Sequence, residues 1–203
     1  MRVRLYVEGG PRGANAEGLR EIRKAFKQHF ERIDSRLASM EVVAKGSTDQ
    51  TIKGYVEGVR QFSSESAVAL LVDSETPVSV GDAAKHLEAK LDSRNVPTAA
   101  RKNIFLMVQC FEAWLVTDAA VLEKCFGNKL RSNALPKNPD VEAVPKADIF
   151  VALRDAIKPT PAKRYNKVRH GAQILAVLSP VRVGERASHA RDLHRFLQNS
   201  VNA

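Results

Sequence analysis

The sequence predicts an α/β fold with a mainly parallel sheet flanked by helices, and three observations carry that expectation. Three short runs, Val3 to Val7, "SMEVVAKG" and "SAVALLVD", are almost wholly apolar, as strands are when helices cover both faces of a sheet. Two segments with apolar residues every three or four positions lie between them, which is the helical period. A β-α-β-α-β order then follows, and strands joined by crossover helices pair in parallel.

Each element has its own signal. In "RLYVEGGPRG" the apolar run reads as a strand that the Gly9-Gly10-Pro11 cluster stops, leaving Glu8 at its carboxyl end. "ANAEGLREIRKAFKQHFERI" sets Leu19, Ile22, Phe26, Phe30 and Ile33 on one helical stripe. "SMEVVAKG" is a second strand ending at Gly46, and "STDQTIKGYVEGVRQF" a helix opened by Ser47 or Thr48. "SAVALLVD" is the third strand, "VSVGDAAKHLEAKL" is helical, and "KNIFLMVQ" is a fourth, charge-bounded strand. "CFEAWLVTDAAVLEKCF" reads as one continuing helix, with Trp114 and Leu115 in the core. Asn, Pro and Gly punctuate residues 128–145, which are assigned to an irregular excursion. A helical extension over 146–203 follows: "KADIFVALRDAI" with Ile149, Leu153 and Ile157 inward, the basic loop 158–170, then helices around "GAQILAVL" and "ASHARDLHRFLQN".

Composition bounds the function. The 203 residues suffice for one domain, 1–203, and 44% hydrophobic with 27% charged residues is the balance of a folded globular chain. No apolar run approaches the roughly 20 residues of a membrane span, and "MRVRLYV" lacks the apolar centre of a signal peptide. A cytoplasmic protein without a membrane partner is expected. Cys110 and Cys125 are too few and too far apart for a zinc or redox motif and read as free thiols. The glycines lack dinucleotide spacing, Lys45 stands where a ribose-binding acid belongs, and no phosphate-binding G-x-x-x-x-G-K-[ST] loop occurs, which argues against NAD binding and ATP hydrolysis. A net charge of +9 makes nucleic acid, DNA or RNA, the leading partner class.

The acids at the strand ends carry the chemistry. Asp73 and Glu75 are two apart, so a persisting strand would point both to one face, roughly 7 Å apart at the backbone. The first and third strands of such a unit commonly lie side by side, which brings Glu8 to the same rim. Three carboxylates so placed repel one another unless a cation offsets them, and oxygen-only ligands suit Mg²⁺ first and Mn²⁺ second. Asp73 and Glu75 would hold the metal, with Glu8 completing the shell or acting as general base on a water. No covalent nucleophile is evident, so hydrolysis is preferred over strand transfer. Glu112 and His170, each at a helix start, are candidates for supporting roles, with a helix-end charge and a cap as their structural alternatives. In the basic loop, Lys163, Arg164, Lys167 and Arg169 can contact phosphates while Tyr165 stacks a base.

These residues resemble a family. "YVEGG" followed some sixty-five residues later by "LLVDSE" is similar to the Toprim domain of topoisomerases, primases and OLD-type nucleases, in which a Glu follows the first strand and an Asp-x-Asp the third; here the second Asp is Glu75. "LMVQCFEAWLVTD", "ALPKNPDVEAVPKAD" and "KRYNKVRH" resemble the landmarks of a Toprim-related group, the domain-of-unknown-function 4276 family, often encoded beside ABC-type ATPases in bacterial defence loci. "FEAWL" is also similar to a segment of RloB-type defence proteins. The resemblance implies a Toprim-like (Rossmann-like) fold and a Mg²⁺-dependent nuclease that hydrolyses nucleic-acid phosphodiesters in anti-phage defence. An ABC-type ATPase subunit would be its partner, docked on 128–145; a homo-oligomer is left open. Two alternatives stand beside it: a non-catalytic interaction or regulatory subunit, and a metal-dependent phosphohydrolase acting on a small anion.

Overall fold

The computed structural model describes residues 2–9, 15–78 and 83–202. Its frame is a four-stranded sheet of β1 (Arg2–Glu8), β2 (Glu41–Lys45), β3 (Ser66–Asp73) and β4 (Ile104–Met107) in the order β2-β1-β3-β4. Every pairing is parallel, with Glu8 opposite Lys45, Val7 opposite Leu71 and Asp73 opposite Met107. All four carboxyl ends therefore meet at one edge, with those of β1 and β3 at its centre. This is the α/β arrangement the apolar runs predict, and it is Rossmann-like, as the resemblance implies.

Successive strand residues point to opposite faces, and both faces are covered. Val3, Leu5 and Val7 pack with Ile22, Phe26 and Phe30 of α1 (Ala16–Glu31) and with Trp114. Tyr6, Leu70 and Val72 pack on the other side with Ile52, Tyr55 and Val56 of α2 (Thr48–Phe62). Asn15 caps α1 by accepting from the Gly18 N–H at 2.8 Å, and Ser47 and Gln50 form a capping box at α2. The stop signal at residues 10–13 lies outside the described residues. Within them, Gly9 leaves β1 so close to β2 that a Cβ there would sit 2.8 Å from the Lys45 carbonyl.

Two helical readings change in detail. Past residues 79–82, which lie outside the described residues, the helix expected up to Leu91 is broken at Leu87 into α3 (Ala83–His86) and α4 (Glu88–Asp92), and a further short helix, α5 (Thr98–Arg101), precedes β4. The helix expected over Cys110 to Phe126 is split into α6 (Phe111–Leu115) and α7 (Ala119–Phe126). Asp118 makes the break: its backbone is extended and its carboxylate accepts from the N–H groups of Ala120 and Val121. An Asp satisfies more donors there than inside a helix.

The 128–145 excursion is irregular, as expected, yet built into the core, with two 3₁₀ turns and Leu130, Leu135 and Val141 buried. It leads into α8 (Lys146–Ile157), α9 (Arg169–Val177), α10 (Pro180–Arg186) and α11 (Ser188–Asn202). No helix among the described residues is long and apolar enough to cross a membrane. Two ionic groups fasten the excursion. The Arg186 guanidinium donates to the carbonyls of Val116, Thr117, Pro136 and Asn138 at 2.6–3.2 Å. Glu142 caps the start of α11, accepting from Ser188 Oγ at 2.8 Å and His189 N at 3.0 Å, and meets His189 Nδ1 at 2.9 Å. These bonds tie the excursion to its own chain and leave residues 137–140 exposed.

Arg186→Ala leaves four carbonyls short of a charged donor, and urea unfolding should show a loss of about 3 kcal/mol. Burial pushes Glu142 up, but hydrogen bonds from His189 and Ser188 outweigh it and hold it below 4.5, so its contribution fades as pH falls. The hydrogen bond to Glu142 holds His189 above 6.5, so its contribution is complete below that pH and fades as pH rises through the raised value. The stability lost on Glu142→Gln should therefore be greatest between pH 4.5 and 6.5 and shrink on both sides, as read by denaturation across pH.

Candidate metal centre

Glu8 and Asp73 reach the sheet edge as the last residues of adjacent central strands. Glu75 arrives differently from the expected strand alternation. β3 ends at Asp73, and Glu75 sits in the left-handed region at φ 67°, a conformation that costs a non-glycine residue about 1–2 kcal/mol. Backbone bonds from Ser74 N to Met107 O and from Glu75 N to Gln109 O hold it there, at 3.1 and 2.9 Å. Ser74 Oγ donates to Thr76 O at 2.7 Å, and the Ser74 carbonyl meets His86 Nε2. The turn achieves what the strand does not: Glu8, Asp73 and Glu75 each offer an oxygen within 4.8 Å of the others.

A fourth carboxylate and two ammonium groups complete the cluster. Asp73 is 1% exposed; its Oδ1 accepts from the Phe111 N–H at 2.8 Å and its Oδ2 from Lys167 Nζ at 3.3 Å. Glu8 Oε2 accepts from Thr48 Oγ1 at 2.8 Å and from Asp73 N at 3.3 Å. Glu112, fully buried at the start of α6, receives the Tyr165 hydroxyl on Oε1 at 3.3 Å. Its Oε2 has no hydrogen-bond partner, and Lys167 Nζ lies 3.9 Å away. Lys146, at the start of α8, pairs with Glu75 through Nζ and donates its backbone N–H to Gln109 Oε1.

Negative charge is in excess. Glu8, Asp73, Glu75 and Glu112 face Lys146 and Lys167, so two negative charges are left over when all are ionised. Burial pushes Asp73 up to about 7; Glu8, Glu112 and Glu75 add to the shift while Lys167 opposes it. Burial also raises Glu8. Burial would lower Lys167, yet Asp73, Glu112 and Glu8 overcome it and hold the ammonium well above its ordinary value. Acid and base both bind their protons more tightly, the acids chiefly because burial disfavours their charged form and the base because it sits in the acids' negative field. Two positive charges would relieve that field. All the donors are oxygens, and one buried oxygen of Glu112 is unpaired, so the cluster can hold a hard divalent cation. Burial and the charges of Glu112 and Asp73 push the thiol of Cys110, buried beside the cluster, up to about 12.

Over residues 14–198 the sequence matches the family described as a domain of unknown function, DUF4276. The chain belongs to that family. No curated protein and no solved structure matches it. Of the DUF4276 chain's clustered residues, only Glu8 precedes the matched span.

Several residues of this DUF4276 protein sit elsewhere than expected. Lys167 turns inward onto Asp73 and Glu112 instead of outward to phosphates, because the buried acids attract it more strongly than solvent does. The Tyr165 hydroxyl is taken by Glu112; burial and that charge keep it protonated. His170 does not join the acids. Its Nδ1 accepts from Asn166 N at 3.0 Å and its ring lies edge-on to Phe126, so it caps the turn before α9. Lys163, Arg164 and Arg169 remain exposed. Sequence reasoning missed Lys146 and Thr48. A signal for Lys146 existed: a cation in the first turn of a helix opposes the macrodipole and needs an acid elsewhere to justify it.

A divalent cation, titrated as Mn²⁺, should raise the melting temperature, with about 2.7 kcal/mol of stabilisation at a hundred times its dissociation constant. Glu8→Gln and Asp73→Asn should each weaken that binding at least about tenfold. Lys146→Met removes a competing internal cation from Glu75 and should tighten it about two- to fivefold in calorimetric titration.

Proposed function

We propose that this protein is a Mg²⁺-dependent nuclease that hydrolyses phosphodiesters of DNA or RNA. The observation that carries the reading is the convergence of Glu8, Asp73 and Glu75, with buried Glu112 behind them, beside a loop whose Lys163, Arg164 and Arg169 are exposed. Mg²⁺ fits the all-oxygen donor set, and held by Asp73 and Glu75 it would supply positive charge for the phosphate oxygens. Lys146 and Lys167 add fixed ammonium groups at the same edge. Thr48 and the Asp73 N–H both bond Oε2 of Glu8, which orients the carboxylate and leaves Oε1 to take a proton from an attacking water. The buried Cys110 thiol is held protonated, which supports hydrolysis over covalent transfer. The similarity of "YVEGG" and "LLVDSE" to Toprim acids points the same way, and that of the later landmarks to proteins encoded beside ABC-type ATPases suggests anti-phage defence with such a partner.

One observation favours a second reading. Lys146 and Lys167 already neutralise half of the acid cluster, as a non-catalytic subunit would require for stability alone. Cleavage assays separate the two. Single- and double-stranded DNA and RNA should be cut with Mg²⁺ or Mn²⁺ and not with EDTA. Glu8→Gln, Asp73→Asn and Glu75→Gln should each lower the rate at least about 10²-fold, the scale of a lost positioned acid or base. No metal-dependent cleavage, by the chain alone or co-expressed with a neighbouring ATPase, would leave the non-catalytic reading.

A further inference from the structure

A pocket of about 460 Å³ opens between α8 and the basic loop, lined by Phe150, Leu153, Arg154, Arg164, Tyr165 and Lys167. Its volume is in the range of sites that enclose one small organic group. The lining has an unusual make-up for a surface hollow. Leu153, 1% exposed, lies on the core side of α8, whereas Phe150 keeps 37% of its surface in solvent. Tyr165 supplies a second ring, held by its hydroxyl bond to Glu112. Three cations line the hollow and no carboxylate does; Arg154 has an outside partner, Asp155, in an exposed pair that solvent screens.

Two elements link the pocket to the acid cluster. Lys167 lines it and also lies 3.3 Å from Asp73 Oδ2. Along α8, Lys146, Phe150 and Arg154 are spaced four apart and so share one face, with a rise of about 6 Å between neighbours. The first of them pairs with Glu75, and the other two line the pocket. Phe150 thus lies one helical turn along α8 from the lysine paired with Glu75.

Resting on the nuclease reading above, we propose that this pocket receives one unpaired nucleobase of a single-stranded nucleic acid, stacked on Phe150 next to the phosphate at the acid cluster. The flanking phosphates meet Arg164 and Arg154. An exposed aromatic face between cations suits a base on its backbone: every base has a face to stack, and stacking is independent of sequence. A paired base has both faces covered by its neighbours in the duplex, so it reaches Phe150 only by leaving the stack. The site therefore prefers single strands over duplex.

Binding is measured with Ca²⁺ in place of Mg²⁺, which offsets the charge of the acids, with the strand checked to be intact afterwards, using a single-stranded oligonucleotide carrying the fluorescent base 2-aminopurine. The parent protein should quench the fluorophore. Phe150→Ala should abolish the quench and weaken binding at least about fivefold, the low end of the stacking contribution of one base. Phe150→Trp, which keeps an aromatic face, should restore both. An oligonucleotide of the same length with abasic positions should bind the parent no better than the intact strand binds Phe150→Ala. Equal affinity of the parent for intact and abasic strands, equal or tighter binding of duplex, or an unchanged Phe150→Ala would each overturn the proposal. A retained quench without metal-dependent cleavage would overturn the nuclease reading and leave the base pocket standing.

Discussion

The burial of Asp73 is the constraint on which the rest of the site depends. A carboxylate with 1% of its surface in water must be compensated by its surroundings or give up its charge. The Phe111 N–H and Lys167 each supply a donor, and their positions follow from that need. The first draws the start of α6 against the sheet edge and carries Glu112 with it; the second pulls the basic loop inward. Because Glu8 and Glu112 lie close by, the donors do not suffice, and Asp73 remains shifted up to about 7 by burial and its acidic neighbours.

Gln109 links this centre to the outer helices. Its carbonyl accepts from Glu75 N and holds the left-handed turn, while its side-chain oxygen accepts from Lys146 N at the start of α8. Gln109, two residues beyond β4, thereby fixes the position of an acid and of the lysine paired with it. The far side of α8 is set by the excursion before it, which Arg186 and Glu142 tie to α6, α10 and α11. The helical extension is thus the second wall of the site: it contributes Lys146, Lys167 and Tyr165, and it shapes the pocket at Phe150.

The two lysines give the cluster a double character. They reduce the repulsion among four carboxylates, and they leave a charge deficit that matches one divalent cation. Their partners differ in burial: Lys146 meets Glu75 near the surface, where solvent weakens the pair, whereas Lys167 reaches a buried acid and is held protonated by three of them. An entering cation competes chiefly with the first.

By itself the sequence determined the sheet, its parallel pairing and the acids on its edge. Apolar runs such as "SAVALLVD" are local signals, and the carboxyl end of a strand follows from where its run stops, so Glu8 and Asp73 could be placed without coordinates. The cap of α2 was legible for the same reason, read as Ser47 or Thr48 and found at Ser47, whereas Asp118 was passed over because the apolar period continues on both sides of it. Only the tertiary structure decided how Glu75 reaches the other acids, since its φ of 67° is imposed by bonds to residues 107 and 109. It alone decided that Lys167 and Tyr165 face Glu112 and Asp73 while Lys163, Arg164 and Arg169 face water, because a run of cations in a loop carries no record of which one a buried charge will capture. The same holds for Lys146 and Phe150, separated from Glu75 and Tyr165 by many residues of chain: long-range charge and packing have no period along a sequence, whereas helices and strands do.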